Sequence, residues 1–241
     1  MQPRKMNTTF LYAAILMILL SLGLVLFLRS SAFSIQQIKV QGLKTIPASE
    51  ILKLSNGVQG QNLILFDSDA LSHKILLHPL VKSVQFQREL PHTLVIKVTE
   101  RTPAALLVVP EGVVEVDEQG TFLRRLESWP KTDYPVISGI ALADTAGPGQ
   151  RLSDPSLMAA LNLLGQAPAA LIAQIGEVHV NQIQQITMFL TSGVEVRLGQ
   201  ANNWKDKLKA LLQLINDNSY KSIQQGVRYI DFTAAKPVIG Q

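Results

Sequence analysis

The stretch "RELPHTLVIKVTERTPAALL", residues 88–107, runs from a proline-centred turn into an alternating strand and then an adjacent acid–base pair. Leu94, Ile96 and Val98 alternate with Val95, Lys97 and Thr99, so a two-residue period places the first three on one face of a strand. Just upstream, "VKSVQFQREL" puts Val84 and Phe86 on one face, and Pro91 sits between the two runs, which together predict a hairpin. Before it, "FSIQQIKVQGL" alternates Ile38 and Val40 with Lys39 and Gln41 until Gly42 interrupts, the pattern of a short half-buried strand. "PASEILKLSNG" predicts a helix with Pro47 in its first turn and Gly57 past its end. A second helix follows, which Asp67 or Ser68 can cap, whose Leu71 and Ile75 share a face, and which Pro79 stops. Residues 35–101 therefore read strand, helix, helix, strand, strand.

The chain has 241 residues, enough for one or two ordinary domains, and is 47% hydrophobic and 17% charged. Part of the apolar excess is one run, "FLYAAILMILLSLGLVLFL", residues 10–28, which carries no charge. A helix through it is about 28 Å long, close to the roughly 30 Å of a bilayer's hydrocarbon core. Arg4 and Lys5 precede it and Tyr12 lies near one end, which reads as a single-pass anchor with residues 1–9 cytoplasmic and residues 29–241 outside. A signal peptide cut at "SSA", residues 30–32, is the second reading, although its apolar region is usually only about 7 to 15 residues. A buried core helix is the third. With no cysteine there is no disulfide framework, and stability has to come from packing. The net charge of +4 is spread without a Lys/Arg block, which argues against a nucleic-acid partner.

Beyond Pro103, "AALLVVP", "GVVEVDEQG" and "TFLRRLE" read as short strands, the middle one alternating Val114 and Val116 with Glu115 and Asp117. Asp154 and Pro155 open an apolar helix, "SLMAALNLLGQAP". "QIGEVHVN", "QITMFLTSG" and "VEVRLG" are three more strands, the last two joined by a tight turn at Ser192 and Gly193. "WKDKLKALLQLINDN" is an amphipathic helix with Trp204, Leu208, Leu211, Leu212 and Ile215 on one side, and "RYIDFT" is the last strand.

The run "R-x-L-P-x-T-L-x-I-x-V-x-E-R-x-P", residues 88–103, closing a strand–helix–helix–hairpin unit beyond a single anchor, resembles the POTRA domain of the FtsQ/DivIB cell-division proteins. The resemblance covers the whole chain. It implies an α+β fold: a transmembrane helix over 10–28, a POTRA domain over 33–102, and a mixed, mainly antiparallel β domain with two helices over 103–241. Tyr229, Ile230 and Asp231 match the family's terminal strand, while Phe232 and Thr233 stand where leucine and arginine are common.

Catalytic patterns are absent from the sequence. His73, His78, His92 and His179 lack metal-ligand spacing, and "GVQG", residues 57–60, lacks the Lys-Ser/Thr of a phosphate loop. Glu100 and Arg101 are adjacent on a strand and point to opposite faces, which suits a structural role at the domain boundary better than one small site. Asp67 and Asp69 at a helix start read as capping residues, and the Trp204 face as core. No cofactor is expected. The resemblance instead implies a non-enzymatic scaffold at the cytoplasmic membrane of the division septum, whose partners are the bitopic proteins FtsB/DivIC and FtsL and other divisome membrane proteins. Its last strand, Tyr229, Ile230, Asp231, Phe232 and Thr233, is expected at a sheet edge, where unpaired backbone groups accept a partner strand. An envelope POTRA protein that handles unfolded or translocating polypeptides is the alternative.

Overall fold

The computed structural model describes residues 8–110, 112–131, 133–142, 145–200, 203–234 and 236–240. Arg4 and Lys5, which bear on the orientation of the anchor, lie outside the described residues. The chain divides into two compact units, residues 1–100 and 101–241.

Unit 1 begins with α1, Thr8–Leu28, of which Thr9–Leu28 is long and apolar enough to cross a membrane and is not covered by protein. Without a polar face, such a helix has lipid rather than water as its natural surroundings. Its end is tied down. Asn62 Nδ2 donates to the Leu28 carbonyl at 2.8 Å, while Asn62 Oδ1 accepts from the Ile64 and Leu65 amides at 2.9 and 3.2 Å. One asparagine thus satisfies a carbonyl that the helix terminus would otherwise leave open and shapes the loop that follows.

The rest of unit 1 is β1, Gln37–Gln41; α2, Ala48–Leu54; α3, Ser68–Leu76; β2, Val81–Glu89; and β3, Thr93–Glu100. The strands form a sheet of order β1-β3-β2, with β3 parallel to β1 and antiparallel to β2. Leu94, Ile96 and Val98 pack inward with Ile51, Leu71 and Ile75 of the helices, on the face expected from their period. Asp67 caps α3 by accepting from the Asp69 and Ala70 amides. Two details differ from expectation. Pro47 is the residue just before α2 rather than within its first turn. Val95, on the outward face, is fully buried: it is the register neighbour of Lys39 and Gln87, and the Lys39–Glu89 ion pair at 3.0 Å reaches across the central strand there. Gly42 has φ +87°, and a Cβ there would lie 2.1 Å from the Val98 carbonyl oxygen, so the chain can leave β1 only through glycine.

Glu100 holds the entry to α2. Its carboxylate accepts the amides of Lys44 at 2.7 Å, Thr45 at 2.9 Å and Ile46 at 3.0 Å, in the manner of a cap supplied from a distant strand. Burial by itself would raise its pKa, but the backbone donors at Ile46, Lys44 and Thr45 together outweigh it and hold the carboxyl below the usual glutamate range. A carboxyl depressed in the folded state contributes stability above its unfolded pKa and loses that contribution as pH falls through the folded value. Glu100→Gln is therefore expected to cost about 1 kcal/mol at neutral pH. The gap between wild type and variant in thermal midpoint should close below the ordinary carboxylate range, and a gap that persists unchanged into acid would show that the charge is irrelevant.

Unit 2 contains β4, Ala105–Val109; β5, Gly112–Val116; β6, Phe122–Leu126; β7, Val136–Ser138; α4, Pro155–Gln166; α5, Ala169–Ile172; β8, Ile175–Val180; β9, Ile186–Leu190; β10, Glu195–Gly199; α6, Trp204–Asn216; α7, Asn218–Ile223; β11, Tyr229–Asp231; and β12, Val238–Gly240. Among the described residues these strands form one nine-stranded sheet, β12-β11-β10-β9-β8-β7-β4-β5-β6. It is antiparallel except at β4–β7, β7–β8 and β10–β11. The two long helices expected from the sequence are present: α4, with Leu157, Leu161 and Leu164, and α6, with Trp204, Leu208, Leu211 and Ile215, contribute to the core that also takes in the buried side chains of the sheet. The short α5 and α7 join them.

Glu115 and Asp117, which alternate with Val114 and Val116, are both buried. Arg124, the register neighbour of Glu115 on β6, binds both of its carboxylate oxygens, at 2.7 and 3.0 Å. Asp117 accepts the Gln119 and Thr121 amides and pairs with Arg101 at 2.6 Å. The acid–base pair at 100 and 101 is structural on both sides, with Glu100 closing a loop of unit 1 and Arg101 a turn of unit 2.

Candidate docking edge

The last strands of unit 2 carry the residues singled out for partner binding. β11 runs parallel to β10, with Tyr229 opposite Glu195, Ile230 opposite Val196 and Asp231 opposite Arg197. Ile230 and Phe232 point into the core beside Val196 and Leu198, which leaves Tyr229 and Asp231 on the other face. There the Arg197 guanidinium lies 4.3 Å from the centre of the Tyr229 ring and donates to Glu195 Oε1 at 2.8 Å.

Asp231 is engaged locally. The Thr233 hydroxyl and amide both donate to its Oδ1, at 2.6 and 2.7 Å, and these bonds, aided by Arg197 and Lys207, hold its carboxyl below the usual range despite burial. Lys207 donates to the Leu198 carbonyl at 2.7 Å, and desolvation lowers its pKa against the pull of Asp231.

The expectation that this strand is itself the edge is corrected. β12 pairs antiparallel with β11, matching Tyr229 with Gly240, Ile230 with Ile239 and Asp231 with Val238, so β11 is hydrogen-bonded on both sides. β12 is then the end of the sheet among the described residues. The Tyr229 ring lies directly over Gly240, where a Cβ would come within 2.1 Å of it, so the pairing depends on that residue having no side chain. On the helix side, Ile239, Lys236 and Pro237 border an open cleft with Ala210 and Leu214 of α6 and Asp217 just past its end. Three residues following a proline carry too little period to be recognised as a strand from sequence, and for the same reason β7 went unrecognised.

A family model described as "POTRA domain, FtsQ-type" matches residues 33–101, and one described as "Cell division protein FtsQ/DivIB, C-terminal" matches residues 105–232. The chain belongs to the FtsQ/DivIB family. A cell division protein FtsQ of Anaeromyxobacter sp. (strain K) is 30% identical over 206 residues, covering 84% of this chain and 69% of that protein. Another from Myxococcus fulvus is 28% identical over 208 residues, covering 85% and 72%. The structure of the major extracytoplasmic domain of DivIB from Geobacillus stearothermophilus aligns with a TM-score of 0.32 at 15% identity, over 54% of this chain and 98% of that one, a likeness too distant to bear weight.

FtsQ/DivIB membership assigns the chain to cell division and to a family of division scaffolds rather than of enzymes. Interactions with other divisome proteins follow from it, and the single apolar helix near the amino terminus fits a single-pass membrane protein.

The structure also supplies side-chain partners for two histidines that sequence left unpaired, a carboxylate for His78 and a serine hydroxyl for His179. His78 Nε2 meets Glu50 at 2.9 Å in unit 1, while in unit 2 the Ser138 hydroxyl donates to Glu177 at 2.5 Å and contacts His179 Nδ1 at 2.8 Å. Each contact joins residues far apart in sequence, so no local motif could announce it.

Proposed function

We propose that the chain is a non-enzymatic divisome scaffold that captures an extended segment of an FtsB/DivIC-type bitopic protein, with FtsL, and so links early to late division proteins and helps recruit or regulate septal peptidoglycan synthesis. In this reading residues 1–9 are cytoplasmic, residues 10–28 cross the cytoplasmic membrane at the septum, and a POTRA domain over 33–102 and a β domain over 103–241 lie outside. Anchoring confines both partners to one surface, which raises their effective concentration without any new contact.

The observation that carries the reading is the end of the sheet: β12 presents a backbone edge that no described strand covers, and an edge of this kind is completed by adding a strand. Tyr229, Asp231 and Thr233 flank that edge on one face as partner-binding residues, and Ile230 and Phe232 hold the strand down from the core. On the other face the cleft beside Ile239 can receive an apolar side chain of the incoming segment.

Proline substitutions at Val238 and Ile239 test the reading. A proline removes one ladder donor, and at least one variant is expected to keep the circular dichroism of wild type yet lose binding to a synthetic extracytoplasmic segment of an FtsB/DivIC-type protein by about tenfold or more. Removal of residues 236–241 discriminates further. Binding should vanish if β12 is the acceptor, and should strengthen if the incoming strand replaces β12 on β11. Unchanged binding in every folded variant would exclude this edge.

A further inference from the structure

Unit 1 carries a second surface that strand docking does not use. Main-chain bonds knit residues 60–63 to the segment that leaves the helix: Leu63 N donates to Phe33 O at 2.7 Å, Ile35 N to Gln61 O at 2.8 Å and Gly60 N to Ile35 O at 2.8 Å. Together with the Asn62–Leu28 bond, they hold this loop at the exit of α1. The hairpin turn is at the same end, because the amides of Gln36 and Gln37 both donate to the His92 carbonyl, at 2.9 and 3.3 Å. Arg88, the first residue of the hairpin motif, ties loop and turn together by donating to the Leu63 carbonyl at 2.9 Å and the Phe66 carbonyl at 3.4 Å.

At the tips of these two segments stand Leu65, 59% exposed, and Leu90, 64% exposed. Exposed leucines alone mean little, since Leu77 at the opposite end is 79% exposed. Position separates them. β3 leads from Thr93, beside the turn, to Glu100 at the α2 entry, a run of about 23 Å at the usual rise of a strand. Leu77 adjoins His78, which pairs with Glu50 at that far end, whereas Leu65 and Leu90 sit where α1 emerges.

We propose that the loop at Leu65 and the turn at Leu90 form an apolar rim that enters the headgroup layer around the emerging anchor and seats the POTRA unit on the bilayer. The occupant of this surface is lipid, because the helix that crosses the hydrocarbon is hydrogen-bonded to the loop that carries the rim. An apolar side chain at that level gains burial of about 5 to 10 Å into the headgroup and acyl boundary. The seat sets the height and tilt of the POTRA unit. The proposal rests on reading α1 as a membrane anchor.

The chain has no cysteine, so single cysteines can be introduced cleanly into the full-length protein. Leu65→Cys, Leu90→Cys, Leu77→Cys and Leu20→Cys, each labelled with an environment-sensitive nitrobenzoxadiazole, would be reconstituted in phosphatidylethanolamine–phosphatidylglycerol nanodiscs with and without doxyl-labelled lipid. Quenching at 65 and 90 should be about threefold stronger than at 77, with blue-shifted emission, as befits an interfacial position. The probe at 20, within the span, should be quenched strongly. Quenching at 65 and 90 no greater than at 77, with the probe at 20 still quenched, overturns the rim while leaving the anchor intact. Loss of quenching at 20 overturns the anchor reading and the rim with it.

Discussion

Ile96→Asp should unfold unit 1 while Lys97→Glu, one residue further along the same strand, leaves its stability almost unchanged. Ile96 is fully buried in the central strand, in register with Val40 on one side and Phe86 on the other. An aspartate there has no cation within the core to pair with, so it must either take up a proton or drag water in, on top of the lost packing. The packing loss alone, read from Ile96→Ala, is expected to be about 3 kcal/mol, and the buried acid adds to it. Lys97 points outward and is exposed, and its reversal of charge should stay within about 0.5 kcal/mol. Denaturant unfolding, with hydrogen exchange of the β3 amides to localise the transition, measures both. Similar midpoints for the two variants would refute the register of the strand.

Arg124→Ala should be nearly as costly in unit 2, although the arginine itself is half exposed. The Glu115 side chain that it clamps is only 3% exposed and lies in the second strand from the sheet's other end. Removing the guanidinium leaves a carboxylate buried without its cation, a situation that costs about 3 kcal/mol in comparable cases. Glu115→Gln in the same chain should recover a large part of the loss, because an amide can stay buried at lower cost than a charge. A loss for Arg124→Ala under about 1 kcal/mol would mean that water already screens the pair as it would on an open surface.

The burial of Ile96 was legible because a strand that packs helices on one face writes its period into the sequence, and the same holds for Leu71 and Ile75 on α3 and for the Trp204 side of α6. The caps at Asp67 and Asp154 were legible because a cap and the amides it serves are two or three residues apart. The resemblance of residues 88–103 to the POTRA hairpin extended the reading to the whole architecture.

The clamp on Glu115 was not legible from its alternation with Val114 and Val116. Whether a charged residue on a strand is buried depends on what the neighbouring strand brings opposite it, here Arg124, and that is decided by register. Glu100 and Arg101 are two separate structural clamps, Glu100 at the end of β3 holding residues 44–46 and Arg101, just beyond the strand, pairing with Asp117, and neither distant partner is announced by the local sequence.

The same distinction governs the docking edge. Sequence alone determined that Tyr229, Asp231 and Thr233 share one face and that Ile230 and Phe232 share the other, because alternation is a property of the strand itself. Which strand ends the sheet was decided only in three dimensions: residues 238–240 fold back onto β11, since Gly240 leaves room beneath the Tyr229 ring and Ile239 can line up beside Ile230. Local periodicity encodes the faces of an element, whereas an edge is defined by which element is not there to cover it, and that depends on how the whole chain packs.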